Sequence, residues 1–179
     1  MPRAALIPHP ASPNSPAATI AVEYERRAGQ LWLRFVCEGD PGLIRWPAEA
    51  PAGRADNLWT HTCFEVFVGT GEAYREFNLS PSGQWASYAF AGYREGMRAA
   101  DEAAVVDGLD GGSDCMALEA RVDLPDAAQR LALSAVIEDS QGEKTYWALA
   151  HPSDKPDFHH PDSFTLVLPA PETAGTQQP

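Results

Sequence analysis

The sequence predicts an all-β protein, an antiparallel β-sandwich of the jelly-roll or immunoglobulin-like kind with about nine strands and long loops. Three observations carry this prediction. Apolar and polar residues alternate in many short runs, glycine and proline turns separate the runs, and no long amphipathic helix pattern occurs. The chain has 179 residues, 44% of them hydrophobic, which is enough for one domain with a full core.

The strands follow from where the alternation starts and stops. Residues 19–27 and 31–37 alternate on either side of a turn at Gly29, which predicts a hairpin. The segment 39–57 is broken by glycine and proline and predicts a long loop. The other predicted strands are 62–68, 74–80, 84–90, 116–122, 131–137, 144–150 and 163–168, and residues 98–104 are predicted to form one or two helical turns.

One domain is predicted between two irregular ends. Residues 1–18 are expected to be a flexible leader, since 8–18 are rich in Pro, Ser and Ala, and 169–179 to be a disordered tail. The domain itself spans 19–168. The first residues lack the apolar segment of a secretion signal, and no run reaches the ~20 apolar residues of a membrane span, so we expect a cytoplasmic protein.

Charge and cysteine content narrow the classes of partner. A net charge of −12 disfavours nucleic acid and anionic lipid, although an ordinary self-repelling surface has the same composition. Three cysteines, Cys37, Cys63 and Cys115, contain no C-x-x-C pair. We expect them to be reduced and buried as small hydrophobic residues, not to hold a metal.

Polar residues on the middle strands form the first candidate site. Glu65 shares a face with Phe67 on one strand, and Glu76 and Asn78 share a face with Tyr74 on the next. Paired strands bring such residues onto one surface, where rings, carboxylates and amides suit the recognition of sugars. A solvated sheet face is the alternative. The two acids are also of the residue type that forms the carboxylate pair of a glycosidase. This signal is weak, because many pairs of acids on a sheet have the required separation of ~5–10 Å.

Aromatic and basic residues near strand ends add candidates. Trp59 and His61 precede strand 62–68, and Trp85 begins strand 84–90. Such a tryptophan is either a stacking platform for a ligand or a plug on the end of the sandwich. The guanidinium of Arg94 could donate paired hydrogen bonds to Glu65, to Glu76 or to a ligand carboxylate. A surface salt bridge is the simpler alternative.

The stretch from Tyr146 to Phe164 is the most informative in the chain. It combines an apolar run with a loop rich in histidine and aspartate, and prolines restrict its conformations. A stiff polar loop is typical of a ligand site. Adjacent histidines on an extended segment point to opposite sides, so we favour hydrogen-bonding roles and predict no metal site. The candidate residues of this loop are His151, Lys155, Asp157, His159 and His160.

The sequence contains no recognisable catalytic motif. G-x-S-x-G, P-loop and G-x-G-x-x-G patterns are all absent. The sequence therefore favours a binding module over an enzyme and predicts no obligatory cofactor.

Four motifs together resemble a known group. They are L-W-T-H-T-C-F-E-V-F-V at 58–68, Y-R-E-F-N-L-S-P-S-G-Q-W at 74–85, Y-R-E-G-M-R at 93–98 and W-A-L-A-H-P-S-D-K-P-D-F-H-H-P-D-S-F at 147–164. The chain resembles the bacterial DOMON-like domains, which are similar to DOMON domains and family 9 carbohydrate-binding modules. The resemblance covers residues 19–168 and implies a β-sandwich with a ligand site on one concave face or sheet edge.

Relatives of this group bind sugars or haem b. For a sugar, the resemblance implies stacking by tryptophans and hydrogen bonds from acids, amides and arginine, for which the matching residues are Trp59, Trp85, Trp147, Glu65, Glu76, Asn78 and Arg54. For haem b, it implies Met97 with His159, His160 or Lys155 as iron ligands. We predict a non-catalytic module for a small molecule, a saccharide or glycan precursor. A haem b domain and a protein-interaction domain are the alternatives.

Overall fold

The computed structural model describes residues 1–169 and consists almost entirely of β-strands. Most of the predicted tail, residues 170–179, lies outside the described residues. The strands are β1 (Arg3–Pro8), β2 (Ala17–Arg27), β3 (Gln30–Gly39), β4 (Gly53–Arg54), β5 (Cys63–Gly69), β6 (Tyr74–Leu79), β7 (Gln84–Phe90), β8 (Arg98–Ala99), β9 (Ala104–Gly111), β10 (Cys115–Asp123), β11 (Arg130–Glu138), β12 (Lys144–Ala148) and β13 (Leu166–Val167).

All of these strands belong to one continuous sheet. Eleven of them lie side by side in the order β4-β7-β6-β5-β11-β12-β1-β2-β3-β10-β9, with β8 paired to β7 and β13 to β11. The far end strand β9 returns against β7, so the sheet curves into a nearly closed barrel. The all-β class is confirmed, whereas the predicted two-sheet sandwich of about nine strands is wrong.

Strand β1 is the physical reason for that error. Its residues Arg3–Leu6 pair with β2, and Ile7 and Pro8 pair with β12, so this strand joins the two halves that a sandwich would keep separate. It lies inside residues 1–18, for which we expected a flexible leader. The run R-A-A-L-I-P shows little alternation and ends at proline, but its Leu6 is buried in the core.

The other differences concern short or polar strands. The hairpin of β2 and β3 forms as predicted, with Arg27 opposite Gln30. Residues 98–104 contain strand β8 and the start of β9 where helical turns were predicted. Strand β9 was not predicted because its sequence A-V-V-D-G-L-D-G contains residues that are depleted in strands.

The strands β5, β6, β7, β11 and β12 separate two apolar regions. Their inner face packs into the main core, where the rings of Phe35 and Phe64 lie 4.9 Å apart. Their outer face carries a smaller aromatic cluster that includes Phe67, Tyr74 and Phe164. The loop 149–165 crosses this outer face. In residues 1–169 the helical segments are single 3₁₀ turns, and none could reach across a bilayer.

Candidate functional site

A cavity of about 890 Å³, here called the site cavity, lies on the outer face of this part of the sheet. Its size falls in the range of small-molecule sites. Strands β5, β6, β7, β11 and β12 contribute to it, together with the loops 55–62, 91–97 and 149–165. The lining residues are Asp56, Asn57, Trp59, Glu65, Glu76, Tyr88, Phe90, Arg94, Met97, Val136, Tyr146, Pro156, Phe158 and His159.

Three polar residues at the base of the site cavity form the polar cluster, Glu65, Glu76 and Asn78. Strand pairing places Glu65 opposite Asn78 on β6 and opposite Ser134 on β11. The side-chain amide of Asn78 donates to Glu76 at 3.1 Å, and the Ser134 hydroxyl donates to Glu65 at 3.4 Å. All three members are buried, although the two acids border the cavity. The register therefore brings together the residues that the alternation pattern had placed on one face.

Burial changes the acid strength of both carboxyl groups. Loss of solvation raises the pKa of Glu65 well above its usual value, and the nearby Glu76 raises it further. Loss of solvation also raises the pKa of Glu76 from 4.5 to about 7, although the hydrogen bond from Asn78 and the charge of Arg94 oppose this effect. Burial therefore favours the protonated form of both carboxyl groups at the base of the cavity, and Glu76, with a pKa of about 7, is partly protonated near neutral pH.

His159 is positioned next to Glu76 by the loop 149–165. Its Nε2 lies 3.7 Å from a Glu76 oxygen, and its Nδ1 lies 2.8 Å from the Tyr74 hydroxyl. The Arg94 backbone N–H donates to that same hydroxyl at 3.2 Å. We assign the Tyr74 proton to Nδ1, which leaves Nε2–H directed toward Glu76. Burial first, and then the charge of Arg94, lowers the pKa of His159 to about 4, so the ring is neutral at pH 7.

A second set of contacts fixes the same loop from its other side. Asp157 accepts hydrogen bonds from the Arg94 guanidinium at 2.7 Å and from the Tyr93 hydroxyl. Burial raises the pKa of Asp157, but these bonds outweigh it and the pKa is lowered. Asp157 therefore forms an ion pair with Arg94 and connects the loop 149–165 to the turn at 92–96.

Aromatic rings form much of the wall of the site cavity. Trp59 lies in the 3₁₀ turn Leu58–Thr60 and is 53% exposed. Tyr88 pairs with Glu76 across the sheet and donates to Asp56 at 2.6 Å. Tyr146 on β12 and Phe158 in the loop lie with their rings 6.1 Å apart. The cavity thus combines flat apolar faces with a polar base.

The predicted residues Arg54, Trp85 and Trp147 do not line the site cavity. Both terminal nitrogens of Arg54 donate to backbone carbonyls, and its guanidinium lies over the Trp85 ring at 4.6 Å. Trp85 packs against the main core from the opposite face of β7. Trp147 is 4% exposed within that core, and its indole N–H donates to Thr145.

The remaining predicted residues, apart from Met97, lie outside the site cavity, where they either form structural hydrogen bonds or are exposed to solvent. His61 bonds Glu138 at 2.7 Å, and His151 bonds the Ile7 carbonyl at 2.8 Å. His160 caps the turn Pro161–Ser163 by accepting from the Asp162 backbone, and Lys155 is exposed. Of the residues named for haem ligation, Met97 and His159 border the cavity, whereas His160 and Lys155 do not.

Several lining residues were missed by sequence reasoning. Tyr88 and Tyr146 belong to this group, and so do Asp56 and Phe158. The parity of the strands carried a signal for the two tyrosines, since Tyr88 lies opposite Glu76 and Tyr146 opposite Val136. No local pattern marks the loop residues, because their positions depend on tertiary contacts. The described residues contain no group of three or more His, Cys, Asp or Glu placed to hold a metal ion.

Comparisons with known proteins give a fold-level similarity. No family model matches the chain, and no curated protein matches it. A solved structure of a proposed carbohydrate-binding protein from Bacteroides uniformis ATCC 8492 is similar, with a TM-score of 0.64 and 13% sequence identity. The match covers 92% of this chain and 84% of that one. At this identity the comparison shows a shared fold.

Proposed function

We propose that this protein is a non-catalytic module that binds a saccharide or glycan precursor in the site cavity. One observation carries the proposal. The cavity of about 890 Å³ is lined by several aromatic residues and by two buried carboxyl groups, Glu65 and Glu76. Sugars present apolar C–H faces, which stack on rings, and hydroxyls, which need groups that both accept and donate hydrogen bonds.

The protonation state of the polar cluster suits a hydroxyl ligand. A protonated carboxyl group donates one hydrogen bond and accepts others, and the raised pKa of Glu76, about 7, keeps part of its population protonated near pH 7. The Nε2–H of His159 adds a donor beside it. A ligand with several hydroxyls would therefore find both donors and acceptors without bringing an opposite charge.

The similarities support the same proposal. The structural neighbour is a proposed carbohydrate-binding protein, and its match spans most of both chains. We further propose that the chain is a bacterial DOMON-like domain. The strings 58–68, 74–85, 93–98 and 147–164, which carry that resemblance, supply most of the lining residues of the site cavity.

A sugar panel tests the proposal. The protein is screened against neutral, acidic and amino sugars, with the melting temperature and tryptophan fluorescence as readouts. A sugar that binds raises the melting temperature and quenches Trp59. The variant Trp59→Ala should lose this response, while Trp32→Ala should keep it, because Trp32 packs between Arg27 and Arg121 and does not line the cavity. Equal loss in both variants contradicts the assigned site.

A haem titration separates the alternative. If the cavity takes haem b, the reconstituted protein shows a Soret band that disappears in Met97→Ala. That outcome would replace the saccharide proposal. The saccharide proposal is supported if the haem-treated sample shows no Soret band and the sugar response depends on Trp59.

A further inference from the structure

We infer that the ligand carries a protonated amine, and that its ammonium group binds between Glu65 and Glu76 at the base of the site cavity. The inference rests on the proposed function, since it names the class of saccharide, an amino sugar with a free amine. The observations behind it concern hydrogen-bond partners, nearby charges and the cavity wall.

When both carboxyl groups are ionised, the polar cluster has more hydrogen-bond acceptors than donors. Glu65 receives one long hydrogen bond, from Ser134 at 3.4 Å, and Glu76 receives one from Asn78 at 3.1 Å. The side-chain oxygen of Asn78 is buried and has no hydrogen-bond partner among the described residues. Glu65 is only 4% exposed, yet it borders the cavity, where its second oxygen accepts nothing from residues 1–169. An ammonium group has three N–H donors, which could pair with these free acceptor oxygens.

Within the part of the chain that the structure describes, neither Glu65 nor Glu76 forms an ion pair with lysine or arginine, although the charge of Arg94 lowers the pKa of Glu76. Arg94 is engaged by Asp157 at 2.7 Å, and His159 is held 3.7 Å from Glu76 by its bond to Tyr74. Burying the ionised forms of two such carboxyl groups without a partner is unfavourable, so the free protein favours their protonated forms. A ligand cation would stabilise the ionised forms.

The cavity wall also suits a cation. Trp59, Tyr88, Tyr146 and Phe158 line the same cavity as the two acids. Aromatic faces attract ammonium groups, with an energy that grows as water is excluded. The net charge of −12 favours the approach of a cation over that of an anion.

Binding of an ammonium group should release protons from the polar cluster. The cation favours the ionised form of each carboxyl group, so the protons that Glu65 and Glu76 hold in the free protein pass to the buffer. The other titratable groups facing the cavity are Asp56, Tyr88, Arg94, Tyr146 and His159. Of these, His159 is neutral at pH 6 because its pKa is about 4, and Arg94 is already paired, so the two glutamates are the expected source.

Calorimetry at pH 6 with three sugars tests the inference. Glucosamine, N-acetylglucosamine and glucose share a ring, but only glucosamine has a cationic amine. We expect glucosamine to bind at least about tenfold more tightly than the other two. Its heat should depend on the ionisation enthalpy of the buffer, which reports proton release. The preference should disappear in Glu65→Gln and in Glu76→Gln, and it should persist in Glu143→Gln, whose glutamate is exposed and does not line the cavity.

The outcomes separate this inference from the proposed function. If the neutral sugars bind as tightly as glucosamine, the inference is overturned and saccharide binding stands. If ethylamine binds as well as glucosamine and no neutral sugar binds, the amine site stands and the saccharide proposal fails. If none of these ligands binds, both fail. The sugar comparison on the unmodified protein decides the inference even if a glutamine variant does not fold.

Discussion

Replacing Glu76 by glutamine should change how stability depends on pH. Burial raises the pKa of Glu76 from 4.5 to about 7 in the folded protein. Between these values the folded state holds a proton that the unfolded state has released. Stability therefore falls as pH rises, and ionised Glu76 costs about 3 kcal/mol by pH 8. Glutamine does not titrate, so Glu76→Gln should gain about 3 kcal/mol relative to the unmodified protein between pH 4.5 and 8.

His159 contributes to the pH dependence of stability with the opposite sign to Glu76. The effect of Glu76 must therefore be measured as the difference between the variant and the unmodified protein. Its pKa is lowered from 6.5 to about 4, so the unfolded state binds the extra proton between these values. Stability from this group rises with pH in that window and masks the effect of Glu76 in the unmodified protein. Both proteins contain His159, so its contribution cancels when the two free energies are subtracted at each pH.

Urea unfolding at several pH values provides the assay. The free energy of unfolding is measured from pH 4.5 to 8 for the unmodified protein, Glu76→Gln and the exposed control Glu143→Gln. We expect a difference that grows with pH for Glu76→Gln and a flat one for the control. A flat difference for Glu76→Gln would refute the claim that this carboxyl group is buried without a neutralising partner.

Three further variants test the placement of other residues. Trp147→Ala should lower the free energy of unfolding by about 3–5 kcal/mol in a urea titration, because this indole fills the main core; a loss under about 1 kcal/mol would contradict that burial. Tyr74→Phe should cost about 1–2 kcal/mol and weaken ligand binding, because His159 loses its partner, whereas unchanged affinity would contradict this positioning. Arg54→Met should lower stability and leave sugar affinity unchanged, because Arg54 bonds backbone carbonyls outside the cavity; lost affinity at normal stability would place it in the site.

Strand periodicity was enough to predict the polar cluster. Glu65 and Phe67 share a face because residues two apart on a strand point the same way, and pairing then sets Glu65 beside Asn78. The same rule, applied to β12, separates Trp147 from Tyr146. Trp147 lies opposite Ala135 on the core side, and Tyr146 faces the cavity. The expectation that Trp147 stacks on a ligand came from residue type and not from strand parity.

Closure of the sheet was not predictable from local patterns. Strand β1 forms because its backbone finds partners on both sides, β2 and β12, and β12 lies far away in the sequence. The roof of the cavity has the same origin. Pro156, Phe158 and His159 reach it only after the loop is tied down by Asp157 and Tyr74. Prolines predicted a stiff loop, but tertiary contacts determine which of its histidines faces the site.

Nuclear magnetic resonance of the indole N–H groups tests the central claim most directly. The protein has five tryptophans, and Trp59 alone of them borders the site cavity in residues 1–169. Addition of a sugar that binds should move the Trp59 indole signal and leave those of Trp32 and Trp147 in place. Movement of the Trp32 or Trp85 signal with an unchanged Trp59 would show that the sugar binds elsewhere and would contradict the account.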